Sequence, residues 1–90
     1  MLLNVYDTYA TTINGTILHF DVFLPSSNGN KNTAIRYAKI FLQQIGESID
    51  TITLDRCNFC HTETANPVVK KHIEGNSYFI LQMEGCPNPY

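Results

Sequence analysis

Two stretches near the start of the chain, Leu2 to Ala10 and Thr16 to Leu24, are rich in β-branched and aromatic residues and enclose Asn14-Gly15. Both of those residues tolerate the positive φ of a tight turn, so the pattern predicts a β-hairpin. In the second stretch Leu18, Phe20, Val22 and Leu24 share one side of the strand, while Ile17, His19, Asp21 and Phe23 share the other. The wholly apolar set is the expected core face. Pro25 and the segment Ser26 to Asn30 end the strand and offer several N-cap residues. A helix follows, because Ala34, Ile35, Ala38, Phe41, Leu42 and Ile45 recur at steps of three and four, with Gly46 placed to close it. Thr51 to Leu54 alternates as a third strand. Asn66-Pro67 opens a helix of about two turns carrying Val68, Val69, His72 and Ile73, and Gly75 is expected to end it. Ser77 to Met83 is apolar on both parities, the pattern of an inner strand covered on both faces or of one beside an interface. Prolines 87 and 89 lack an amide donor and stop that strand.

The order is therefore β-β-α-β-α-β. It predicts a single α+β domain spanning residues 1–90, a two-layer α/β sandwich with a mixed four-stranded sheet and both helices on one face. The other face would then present Tyr and His residues with little cover, as a binding surface or a dimer interface.

Composition narrows the functional classes. With 90 residues, 43% hydrophobic and 16% charged, the chain is globular, but its core is thin enough that a metal ion or a partner subunit would help to hold it. A net charge of −2 gives no electrostatic basis for gripping nucleic acid. No apolar run reaches the length of a membrane span, and Met1 to Ala10 carries Asn4 and Asp7 where a signal peptide needs a basic end and an apolar middle. A cytoplasmic location is expected.

Cys57-Asn58-Phe59-Cys60-His61 places two thiols and an imidazole within five residues, and Cys86 follows later. C-x-x-C is the usual knuckle spacing of zinc sites, since a tight turn aims two thiolates at one ion. If the third and fourth strands are parallel neighbours, Cys57, Cys60 and Cys86 meet at one end of the sheet, with His61, Glu63, His19 or His72 as the fourth ligand. Three ordinary buried cysteines remain the alternative. Thiol–disulfide chemistry at Cys57 and Cys60 is a further one, although the helix that begins at Pro67 starts too late to activate either thiol. The c-type haem attachment pattern is also spelled here, but haem attachment requires an exported chain.

The hairpin offers a second cluster. A two-residue loop would place Asp7 on the apolar face opposite Val22, burying a carboxylate. A three-residue loop of Ile13, Asn14 and Gly15 instead pairs Tyr9 with His19 and Asp7 with Asp21, and this register is preferred. Asp7, Tyr9, His19 and Asp21 then form a compact polar face suited to acid–base work or to a metal ion, or simply a solvated strand surface. His72 is expected in the last turn of its helix, and Lys70 and Lys71 on a solvated face.

The strings Val5-Tyr6-Asp7-Thr8-Tyr9, His19-Phe20-Asp21-Val22, Cys57-Asn58-Phe59-Cys60-His61, Tyr78-Phe79-Ile80 and Glu84-Gly85-Cys86-Pro87 resemble a family of small bacterial proteins, the domain-of-unknown-function family numbered two thousand and twenty-four. The resemblance runs from Leu3 to Pro87. It implies a single-domain α+β fold and carries over no reaction; the matching positions of interest are Asp7, Tyr9, His19, Asp21, Cys57, Cys60, His61 and Cys86. Taken together, these features predict a small cytosolic binding or interaction domain with a structural zinc held by Cys57, Cys60 and Cys86, with His61 or another residue as the fourth ligand. The alternative is a thiol redox protein, or a small hydrolytic or transfer enzyme built on the His19 and Asp21 face. A homodimer through Tyr6, Tyr9, Phe23 and Tyr78 is a third expectation. The sequence specifies no protein or small-molecule partner.

Overall fold

A computed structural model describes residues 3–25, 30–56 and 67–87, with the backbone alone described at 55 and 56. Six elements follow in the expected order: β1 (Leu3–Thr12), β2 (Ile17–Pro25), α1 (Lys31–Gln44), β3 (Ile49–Arg56), α2 (Pro67–Asn76) and β4 (Phe79–Gln82). The hairpin takes the three-residue loop. Thr12 N–H donates to the Thr16 carbonyl at 2.8 Å, Gly15 N–H donates back to the Thr12 carbonyl at 2.9 Å, and Gly15 adopts φ +87°. That left-handed residue gives the loop its extra member, and the register below it becomes Thr11 with Ile17, Tyr9 with His19 and Asp7 with Asp21.

The sheet order is β3-β1-β2-β4, and each neighbouring pair is antiparallel. This corrects the expected mixed sheet. Each later strand adds to a free edge of the hairpin: β3 beside β1, and β4 beside β2. Consequently β3 and β4 run in opposite directions on opposite edges, and β4 is an edge strand of four residues rather than an inner one. Its apolar residues on both parities have a different origin. Ile80 packs with the cluster under α1, whereas Phe79 packs with the cluster under α2.

α1 begins at Asn30, whose side-chain oxygen accepts from Thr33 N–H at 2.8 Å. It closes in a Schellman arrangement: Glu47 N–H reaches the Leu42 carbonyl, Gly46 N–H reaches the Gln43 carbonyl, and Gly46 takes φ +77°. Ala34, Ala38, Phe41 and Leu42 lie against Tyr6, Ala10, Leu18, Phe20, Val22, Leu24 and Leu54, the even-numbered side of the sheet. Phe20 is fully buried and meets Phe41 edge-on, with centroids 4.9 Å apart.

α2 opens on Pro67 as expected but runs through Gly75 to Asn76. It ends where Ser77 turns left-handed at φ +73°, so it spans ten residues rather than two turns. Its buried residues Val69 and Ile73 pack on Leu3, with Phe23 and Phe79 against them. Those partners lie on the odd-numbered side of the sheet, so the two helices cover opposite faces rather than one. The α+β class and element order stand, with the sheet as the middle layer. The four aromatics expected at a dimer interface are divided by this arrangement. Tyr6 is core under α1, Tyr78 stacks on Tyr37 beside that core, Phe23 packs toward α2, and Tyr9 alone is exposed. Among the described residues, no helix is long and apolar enough to cross a membrane.

Candidate functional site

On the odd-numbered side of β1 and β2, α2 covers only the end that carries Leu3 and Phe23. Beyond that cover the next two cross-strand pairs are Asp7 with Asp21 and Tyr9 with His19. Directly opposed residues of an antiparallel pair stand about 5 Å apart, so these four side chains are brought into contact by backbone pairing alone. His19 Nε2 lies 2.6 Å from Asp7 Oδ1. The Tyr9 ring lies flat on the imidazole, with centroids 4.2 Å apart and planes inclined by 6°. One ligand atom each from Asp7, His19 and Asp21 lies within 4.8 Å of the other two.

Burial and charge make Asp21 the unusual member. Its partial burial, followed by the charge of the adjacent Asp7 and a hydrogen bond between the two carboxyls, pushes its pKa from an ordinary 3.8 up to about 6, with His19 opposing the rise. Two carboxylates this close cannot both be charged without cost, so the pair holds a proton or calls for a cation. Tyr9 shields one face of the imidazole, while Asp7 remains substantially open to solvent at 43% side-chain exposure. The site can therefore be reached from outside. The pairing of β3 adds a feature the sequence reading did not reach: its register sets Asp55 opposite Asp7.

The cysteine cluster divides differently from expectation. Cys57, Cys60 and His61 lie outside the described residues. Arg56, the residue before Cys57, pairs with Tyr6 on one edge of the sheet, while Cys86 follows β4 on the other edge. Three strand spacings, about 14 Å, separate those edges, and the two strands point opposite ways. The parallel adjacency that was to bring the three thiols together is therefore absent. Cys86 is buried, and its Sγ lies 3.4 Å from the His19 carbonyl oxygen. Burial pushes its thiol pKa up, which suppresses the reactive thiolate. His72 sits in the middle of α2, 5.3 Å from the Phe79 ring, rather than in its last turn, and Lys70 faces Glu74 at 3.9 Å.

A second concavity, of about 550 Å³, lies between α1 and β3. Ile35, Leu42, Ile49 and Ile52 contribute apolar lining, and neither histidine nor cysteine lines it. The convergent chemistry of the described residues is thus on the hairpin face.

Comparison with known proteins agrees with this architecture. Residues 1–83 match the family described as Domain of unknown function (DUF2024). The chain is similar to protein NE1680 from Nitrosomonas europaea, whose NMR structure superposes with a TM-score of 0.79 at 40% identity, covering 96% of this chain and 99% of that one. No curated protein matches the chain.

Proposed function

Because the chain belongs to the DUF2024 family, whose description names no activity, we propose its function from the hairpin face itself: a small binding domain that takes a divalent transition-metal cation between Asp7, His19 and Asp21. The observation that carries this reading is the convergence of one imidazole nitrogen and two carboxylate oxygens to within 4.8 Å of one another. They stand on two hydrogen-bonded strands whose register holds them together. A doubly charged ion between the carboxylates would replace the proton that Asp21 otherwise retains to about pH 6. One nitrogen and two oxygen donors suit zinc and the first-row ions near it, and three protein ligands leave a coordination position open to water or a small ligand.

The test is calorimetric titration of the chelator-treated chain with Zn²⁺, accompanied by optical titration with Co²⁺. The expected result is binding that is lost in His19→Ala and Asp7→Asn and retained in Cys57→Ser, without a thiolate-to-cobalt charge-transfer band. A strong thiolate band abolished by Cys57→Ser would overturn the reading and return the metal to the Cys57, Cys60, His61 and Cys86 knuckle. The absence of any binding would also overturn it.

A further inference from the structure

His19 is held from behind as well as from the side. Past the last paired residue of β4, Met83 N–H donates to the His19 carbonyl at 2.9 Å, and His19 N–H donates to the Glu84 carbonyl at 2.8 Å. Two residues of the tail thus face one residue of β2, the count that defines a β-bulge, a device that re-aims the side chain opposite it. The tail then folds back on itself. Cys86 N–H donates to the Met83 carbonyl at 3.2 Å across a turn, with Gly85 at φ +83°. This return brings the buried Cys86 thiol to 3.4 Å from the same His19 carbonyl oxygen.

Gly85 is required twice. Its φ is one that side chains rarely adopt, and a Cβ there would stand 2.4 Å from the Ile17 carbonyl oxygen and 3.2 Å from Leu18 Cδ2. Backbone oxygen cannot rotate away, so any larger residue must push β2 off the turn at the two positions preceding His19.

We propose that the Met83–Cys86 turn positions the hairpin-face site, with Gly85 and Cys86 as positioning residues that fix the backbone of His19 and so aim its imidazole at Asp7. The proposal rests on the reading of that face as a site for a cation, but its mechanical part concerns the metal-free chain. Cys86 acts here as a buried hydrogen-bond donor and filler, with no redox role. The late Glu84-Gly85-Cys86 string is thereby tied to His19.

Two measurements separate the positioning claim from the cation claim. The first follows the ¹⁵N signals of the His19 ring in the metal-free chain, which report its hydrogen bond to Asp7. The second is the Zn²⁺ titration. Gly85→Ala and Cys86→Val are expected to move the His19 ring signals in the direction produced by Asp7→Asn, while the amide signals of α1 stay in place. Each should weaken Zn²⁺ binding by roughly 10- to 100-fold, as loss of an outer-shell support does. Cys86→Ser keeps a donor at the carbonyl and is expected to restore both properties; it also decides the matter should Gly85→Ala fail to fold. Unchanged His19 signals in folded Gly85→Ala or Cys86→Val would overturn the proposal whatever the metal does. Shifted ring signals in a chain whose wild type binds no Zn²⁺ would uphold the positioning role and remove the cation reading alone.

Discussion

One side of the β1–β2 hairpin carries two unlike surfaces within a few residues. Toward the Leu3 end, Leu3, Val5 and Phe23 are shielded or packed near α2, with Phe79 edge-on to Phe23 at 5.8 Å. Toward the loop, the same strands present Asp7, Tyr9, His19 and Asp21, and no helix among the described residues covers them. Strand alternation is identical in both halves, so alternation alone does not separate them. The difference lies in where a ten-residue helix lands: its two buried side chains cover part of the face, and the polar residues are those left outside. The covered half contributes stability. The open half concentrates charge at some cost to it, and such local conflict is commonly found at functional sites.

Perturbing each half should therefore give opposite signatures. In the covered half, Ile73→Ala removes buried aliphatic volume and is expected to lower unfolding free energy by about 2–5 kcal/mol. Urea denaturation checks this, and below the transition the variant should still bind Zn²⁺. In the open half, His19→Ala is expected to weaken Zn²⁺ binding by about 100-fold or more, at or above the upper range for an outer-shell partner, while shifting the urea midpoint far less. If Ile73→Ala instead abolished binding while folded, the division of the face would fail. A smaller effect belongs to Tyr9→Ala. Loss of the stacked ring should cost about 0.5–1.5 kcal/mol in affinity, read by calorimetry, because the imidazole then rotates more freely.

The smallest effect concerns pH. Asp21 titrates near 6 in the folded chain against 3.8 ordinarily, so the folded state holds its proton more tightly than the unfolded state does. This group thus favours folding increasingly as pH falls from about 7 to about 4, and that contribution is lost as pH rises through the folded value. Asp21→Asn removes the conflict. In the absence of metal it should stabilise the chain at neutral pH by no more than about 1 kcal/mol, since the group is partly solvated, and it should flatten the urea midpoint between about pH 4 and 6. Zn²⁺ affinity of the wild type should decline below about pH 6, where the proton returns to Asp21. Affinity that stayed constant down to pH 4 would remove Asp21 from the ligand set.

The hairpin register was legible in the chain because only one loop length keeps Asp7 out of the apolar face, and Gly15 supplies the conformation which that loop needs. The grouping of Asp7, Tyr9, His19 and Asp21 follows from that register. The C-cap of α1 at Gly46 was legible for a similar reason, because it is a local device; at the other end the chain offered several N-cap residues between Ser26 and Asn30, of which Asn30 serves. Gly75 misled because a glycine can sit inside a helix without ending it; Ser77 took the left-handed position instead.

By itself, then, the sequence determined the elements, their apolar faces and the polar face of the hairpin, all of which depend on periods and turns a few residues long. Only the tertiary structure decided which edge each later strand joined, on which side α2 settled and what the Glu84-Gly85-Cys86 turn grips. Those choices depend on contacts between segments far apart in the chain, where one strand edge offers the same backbone hydrogen bonds as another. For that reason β3 and β4, neighbours in the reading that gathered the cysteines, lie on different edges of the sheet, and the late cysteine packs behind His19.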